Sequence, residues 1–505
     1  MFVTILLLLL LLLLILIVAY HYYVQYRRLI NKIPGYTGIS SIMCILLNLI
    51  SQEELWKLFN NYTDMFYPVC KFIDFFFILI VSIRHPDDLQ VILSGTKHLE
   101  KSAYYNILRP WFGMNVLTKI GSAWQSRRKV LTPVFHFNIL QQFTEILIKE
   151  GKSMTKSLKN TEGIITKDLI PFISEHTLNA ICETAMGISL QEMGLFQQQY
   201  LKAIHQIIEL LNYRLLRLWL FSNWIFSLTS KGREQTKILK IFHGFIEKII
   251  AERKVYHKHH KQYFRNFSKV AIDAETIEMD KKPLAMLDLL ILASQEGLLT
   301  DSDIKEEISY FIIKGTFTAV AISYTLGLLA ENKNIQDCVR KEIDDTMQEN
   351  QGKLTKSLQD LHYLERCIKE ALRLYPTYPL IARVTSTEAQ LKSCLLPTGT
   401  IVLLNICGVH RDSNFWPNPE IFDPDRFLPE NIQNRHPYSY MPFSAGPRNC
   451  IGLQFAMLEM KAIIASLIHN FYLEPVDYLK NLRVEFDFFH CPLDPHRINF
   501  IPRRI

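Results

Sequence analysis

The sequence predicts a mainly α-helical protein with a minor β lobe, built as a single large domain behind an N-terminal transmembrane anchor. Three observations carry that expectation. Helical periodicity dominates from Asn138 to Arg253 and returns in a long apolar stretch from Thr300 to about Ala330. The first twenty residues hold an uncharged run, Phe2 to Tyr20, of nearly pure Leu, Ile and Val broken by Thr4. Finally, 505 residues with 49% hydrophobic and 12% aromatic content can bury one sizeable core, and no internal repeat divides them.

Taken in order, the Phe2–Tyr20 run is long enough to cross a hydrocarbon layer of about 30 Å as a helix. Arg27, Arg28 and Lys32 follow it and nothing basic precedes it, so the positive-inside rule keeps the rest of the chain in the cytoplasm. A cleaved signal peptide would need a basic start and a small-residue cleavage site, and neither is present. The expected organisation is an anchor at 1–20, a basic flank and linker at 21–50, and a catalytic domain at 51–505. From Cys70 to Ile83 an aromatic-rich apolar stretch reads as two short strands, and His85-Pro86-Asp87-Asp88 then starts a helix with proline and acids in its first turn. The polar segment from Lys258 to Pro283 carries charges of both signs without periodicity and reads as a mobile loop. Thr300 with Asp303, and Ser357 with Asp360, have capping-box spacing, so each pair is expected to open a helix. Extended, proline-rich segments lead to Phe427, and a last helix is expected from about Gly452 to His469.

A formal charge of +7 is modest for this length. With no recognition motif and no long basic run, it points away from nucleic acid and toward a basic patch that faces an acidic protein partner. The nine cysteines are odd in number, scattered, and never spaced as CxxC. That argues against a disulfide framework or a zinc site, and for a reducing compartment.

Phe443-Ser-Ala-Gly446-Pro-Arg448-Asn-Cys450-Ile-Gly452 places one cysteine in a glycine-bracketed loop directly ahead of a helical pattern. Glycines let the backbone pass close to a flat macrocycle. Amides at the start of the following helix favour an anionic sulfur, Arg448 suits a carboxylate, and Phe443 can shield the sulfur from water. The plain alternative is a loop with a packing cysteine, but five fixed residues in ten positions outweigh it. They match the FxxGxRxCxG signature, and the chain on that basis resembles the cytochrome P-450 superfamily of haem-thiolate monooxygenases. The resemblance implies haem b as cofactor, Cys450 as the axial iron ligand, Arg448 on a propionate, Gly446 in the loop and Phe443 beside the sulfur. It also implies oxidative chemistry, because a proximal thiolate pushes electron density onto iron.

The resemblance extends along the chain after Pro34. Glu370 and Arg373 have ExxR spacing, and Pro424-Asp425-Arg426-Phe427 resembles the PERF element; together they imply a buried network of Glu370, Arg373 and Arg426 that locks the cysteine loop. Trp124 and Arg128 fit the WxxxR of a helix whose side chains bind propionates, and Arg383 resembles a further propionate arginine. Arg127, Arg128 and Lys129 form a short basic run that in the family faces the reductase, although a charge run is ordinarily a solvated face. Trp124 to Phe137, Leu178 to Gly187 and Tyr438 to Lys461 look most like insect-type family 4 microsomal members. The Trp- and Phe-rich stretch from Tyr213 to Ser230 matches a region that dips into the membrane.

Two departures concern the long helix. Where relatives carry an acid-alcohol pair, this chain reads Gly315-Thr316-Phe317-Thr318: Thr318 keeps a hydroxyl and is the candidate catalytic residue, but Phe317 has replaced the acid. Protons must then come from another side chain or from bulk water, and poor coupling of NADPH to product is expected. Lys314 occupies the position of a glutamate that in many family 4 members forms an ester to the haem, so haem is expected to be held without a covalent bond. The resemblance implies a single-pass protein of the endoplasmic reticulum membrane that hydroxylates a lipophilic substrate: a fatty acid, hormone-like lipid or xenobiotic. Its partners would be NADPH-cytochrome P-450 reductase and cytochrome b5. An isomerase or peroxide-using enzyme, or a haem protein without turnover, remains the alternative because of Phe317.

Overall fold

The computed structural model describes residues 28–35 and 51–503, apart from 74–78, 161–162, 191–194, 216, 261–284, 352–353, 355–357 and 484–490. The apolar run 2–20 and most of the 258–283 segment lie outside the described residues. What is described is mostly helix with small sheets, as the periodicity predicts.

The fold is organised around the helix Asp301–Glu331. Thr300 caps it as the sequence predicts: its hydroxyl accepts from Asp303 N–H while the Asp303 carboxylate accepts from Thr300 N–H at 3.0 Å. Beyond its first turns this helix is apolar on every side, and a helix of that kind has to be enclosed. It is the one described helix long and apolar enough to cross a membrane, yet 89% of its apolar window is buried within the protein, which makes it the core helix. Leu169–Met186 packs along it, and His362–Leu374 and Leu453–Asn470 also touch it. Gly315 sets the first of these contacts. A Cβ there would meet Ile181 Cγ2 and Thr177 O at 3.0 Å, so glycine lets the two helices close. The helix runs unbroken through Gly315.

A four-stranded sheet flanks the helices in the order Val69–Ile73, Leu79–Ile83, Ile401–Asn405, Leu380–Val384. The first two form the predicted antiparallel pair, with Val69 opposite Ile83, and Leu79–Ile83 runs parallel to Ile401–Asn405. Leu380–Val384 then adds antiparallel, setting Arg383 opposite Val402. A second sheet pairs Ile165–Asp168 with Arg497–Pro502; that first strand, inside the stretch read as helical, was not expected. Residues 28–35 are pinned to the first sheet rather than forming a free linker. Ile33 is buried, Pro34 O accepts from Lys71 N–H at 2.8 Å, and Lys71 Nζ donates to Ile30 O at 2.9 Å.

One predicted helix start is corrected. The helix begins at His362 with no side-chain cap at Leu361, and Ser357 lies outside the described residues. Its free N–H groups are taken by Glu342 of the helix Lys333–Glu349, whose carboxylate accepts from Tyr363 N–H at 2.6 Å and Leu364 N–H at 2.9 Å. A carboxylate at a helix N-terminus satisfies both its unpaired donors and its dipole.

Candidate active site

The cysteine loop owes its shape to local backbone chemistry. Gly446 has φ +71, and a Cβ there would lie 1.9 Å from Leu93 O, so no other residue fits. Ser444, also at positive φ, makes the companion turn. Cys450 N–H donates to Phe443 O at 2.9 Å and Asn449 N–H to Gly446 O at 3.0 Å, which closes the loop just before the helix Leu453–Asn470 begins. The Cys450 thiol faces an interior cavity of about 260 Å³. Burial raises its pKa, outweighing the Lys314 ammonium, the Gly452 N–H and Arg128, all of which favour the thiolate.

Behind the loop, the predicted charge network is assembled. Arg373 donates from Nε to Glu370 Oε2 at 2.7 Å and from Nη2 to Oε1 at 2.8 Å, with both residues fully buried. Arg426 stands 3.3 Å from Glu370 Oε1 in an ion contact, and its Nη2 donates to Asn418 O. Arg373 Nη1 also donates to His410 O at 2.9 Å, while His410 Nε2 accepts from Met441 N–H at 2.8 Å, two residues before Phe443. The fork of Arg373 is thus tied to the cysteine loop through one imidazole. Burial, with Arg373 adding, brings that imidazole down to about 3, so it is neutral and able to accept.

At one end of the cavity the candidate anion-binding residues converge. Arg448 reaches Leu99 O, Val116 O and Lys119 O, and its guanidinium lies 4.1 Å over the Trp124 ring. Arg128 holds the loop directly, donating to Asn449 O and Oδ1 at 2.8 Å. Arg383 is buried, and its Nη2 has no hydrogen-bond partner. Lys101, which sequence reasoning missed, lines the same cavity, and the charges acting on it, Arg383, Arg448 and Lys314, are all positive. Burial carries Arg448 down to about 9 and Lys101 well below the ordinary lysine value, with neighbouring cations adding in both cases. Among the described lining residues the only carboxylate is Glu459. Converging cations with an orphaned N–H, which outnumber Glu100, the carboxylate acting on Arg448, fit the two carboxylates of a porphyrin, and an apolar cavity with a cysteine sulfur at its wall fits the ring. The basic run does not form one face: Arg127 is buried against Asp303 and Glu307, Arg128 is half-buried, and Lys129 alone is exposed.

Across the cavity lie the residues of the central helix. Thr318 and Phe317 both line it, and Phe317 packs edge-on to Tyr378 at 5.4 Å. Lys314 Nζ donates to Tyr378 Oη at 2.7 Å and sits over the rings of Tyr310, Phe317 and Tyr378 at 4.6 to 4.9 Å. Burial lowers it to about 8, with Cys450 opposing. Glu459, from the Leu453–Asn470 helix, is fully buried, and burial pushes its carboxyl up to about 8. Sequence reasoning missed it too. The available signal was an acid set between Phe455 and Ile463 on an otherwise apolar helix face.

Comparison with known proteins places this site in context. The cytochrome P450 family pattern matches residues 34–491. Cytochrome P450 4c3 of Drosophila melanogaster is 37% identical over 427 residues, covering 84% of this chain and 80% of its own. Cytochrome P450 4V2 of Homo sapiens is 36% identical, covering 80% and 77%. Cytochrome P450 4c21 of Blattella germanica is 33% identical, covering 93% of each chain.

Proposed function

The chain belongs to the cytochrome P450 family, whose members are haem-binding monooxygenases, and from that premise we propose that it is a membrane-anchored enzyme that holds its haem without a covalent bond and hydroxylates a lipophilic substrate with electrons drawn from NADPH through a reductase. When bound, haem supplies reductive activation of O2, with one oxygen atom entering a substrate C–H bond and the other leaving as water. The chain's own residues do the rest. Cys450 would hold the iron, and Trp124, Arg128, Arg383 and Arg448, joined by Lys101, would hold the propionates. Gly446 fixes the loop and Phe443 covers its inner wall. Glu370, Arg373 and His410 keep that loop in place. Thr318 would hydrogen-bond to water on the substrate side, and Phe317, Tyr310 and Tyr378 exclude bulk solvent there.

The carrying observation is the union, in one mostly apolar cavity, of a loop-presented sulfur with a cluster of cations, Lys101, Arg128 and Arg448, beside the unpartnered Arg383 Nη2. An apolar lining favours a lipophilic substrate. Trp219, Trp224, Ile225 and Leu228 are exposed together, which supports membrane contact beside the apolar run 2–20 and hence residence in the endoplasmic reticulum membrane. Exposed Lys129, and the charge of +7, support an acidic partner such as the reductase or cytochrome b5. Phe317 favours a second reading, a peroxide-using or isomerising enzyme, or a haem protein without turnover. With reductase and a lipid panel, NADPH use, peroxide release and product are measured together. Product at the expense of NADPH upholds the reading. A carbon-monoxide complex of the ferrous protein that lacks the red-shifted Soret band, or keeps it in Cys450→Ala, overturns it.

A further inference from the structure

The two departures in the central helix, Lys314 and Phe317, are three residues apart and so share one face of it. Their side chains meet: Lys314 Nζ lies 4.8 Å from the centre of the Phe317 ring. Tyr310, one turn back, and Tyr378, just ahead of the strand Leu380–Val384, complete a cage of three rings at 4.6 and 4.9 Å. Among the described residues the hydrogen-bond partner of Nζ is Tyr378 Oη, at 2.7 Å. An ammonium group donates three hydrogen bonds, and ring faces offset part of its lost hydration without accepting the other two. Glu459 is the one carboxylate among the described lining residues, yet the anionic group acting on Lys314 is the Cys450 sulfur, which the proposed function commits to iron. Burial lowers Lys314 only to about 8, so it is charged at neutral pH. It looks into the cavity together with Thr318, four residues and about 6 Å further along the helix axis. Ile181, Leu211, Ala321 and Ile381 give the same cavity an apolar wall.

We propose that Lys314 anchors the substrate: its caged ammonium takes the carboxylate of a lipid acid, one helical turn from Thr318, and so turns the carboxyl end of the chain, rather than its far methyl end, toward the site of oxidation. The inference deepens the monooxygenase reading above and rests on it for the chemistry, though not for the binding. Phe317 has a part in the same device. A ring at that position walls the cation and leaves it uncommitted, whereas an acid there would stand within reach of Nζ and neutralise it. The substrate carboxylate supplies the anion that this end of the cavity lacks, and the apolar wall receives the hydrocarbon behind it. Lys101, Arg383 and Arg448 have the two haem propionates to hold, while Lys314 stands on the substrate side with Thr318.

The test uses the full-length ferric holoenzyme with lauric acid and methyl laurate, which differ at the carboxyl group alone. Binding is read by calorimetry and by the Soret shift, and the position of oxidation by mass spectrometry after turnover with reductase. The parent should bind the acid at least about tenfold more tightly than the ester, and Lys314→Met should bring that preference to about one while Lys314→Arg keeps most of it. The parent's product should carry its hydroxyl near the carboxyl end, and Lys314→Met should scatter it along the chain. If Lys314→Met loses haem, Lys314→Gln carries the same comparison. Equal binding of acid and ester by the parent, a preference that survives in Lys314→Met and Lys314→Gln, or hydroxylation of the parent's substrate at the methyl end overturns the assignment. So does a Lys314→Met protein that sheds haem faster yet keeps the preference, since Lys314 would then serve a propionate. A parent that prefers the acid but forms no product upholds the anchor and refutes the monooxygenase reading, and one that oxidises the ester as readily as the acid does the reverse.

Discussion

Replacing Arg373 by alanine tests how the cysteine loop is held. The change deletes both hydrogen bonds to Glu370, at 2.7 and 2.8 Å, together with those to His410 O at 2.9 Å and Ile421 O at 3.2 Å. Glu370, with no exposed surface, keeps the Asp423 N–H, the looser Arg426 contact and the more distant charge of Arg435. Stranding a buried charge in this way costs about 3 to 5 kcal/mol. That is a large part of the roughly 5 to 15 kcal/mol by which domains are stable. The structure directs the loss at one place, since His410 loses its donor and Met441 hangs from His410. The expected outcome is protein recovered with little haem and a lowered melting temperature. Arg373→Lys should recover part of it, because a lysine supplies the charge without the fork. Haem content by pyridine haemochromogen and melting by circular dichroism read the result. Arg373→Ala with full haem content and the parent's melting point would refute the argument.

Three further outcomes follow from the site. Lys101→Met with Arg383→Met relieves repulsion among buried cations, so the apoprotein should melt higher while haem dissociates at least tenfold faster; melting and haem transfer to apomyoglobin measure the two arms. Lys314 has no carboxylate with which to form an ester, so acid-butanone extraction should leave the polypeptide free of haem; haem retained on the denatured chain contradicts this. Glu307 and Glu459 are both raised, to about 7 and about 8, by burial above all. The fold therefore binds protons that the unfolded chain has already lost, and their contribution is full below about pH 4.5 and fades as pH rises through those values. The apoprotein of Glu459→Gln should lose less melting temperature between pH 5 and 8 than its parent.

Legibility from sequence tracked the range of the interaction. Thr300 and Asp303 are three residues apart, as are Glu370 and Arg373, and both pairs stand as the spacing predicts. Gly446 was readable because a loop motif fixes its neighbours, though the need for glycine comes from Leu93 O, far away in the chain. The cap on the His362 helix was not readable, since Glu342 reaches it from 21 residues away and Ser357 looked like a sufficient local answer. Arg127 read as surface because its neighbours are charged; what buries it is Glu307, 180 residues on. Lys101 and Glu459 belong to the same class. Their significance lies in which cavity they face, a property of the assembled helices rather than of any window of sequence.

The imidazole of His410 gives the loop an unusual response to acid. Its Nε2 is occupied by Met441 N–H, and it declines a proton until about pH 3. An unfolded chain would accept that proton below about 6.5. Mild acidification therefore erodes the thermodynamic margin of the strap while leaving its geometry unaltered, so in acid the sulfur would keep its aim until the whole region let go at once.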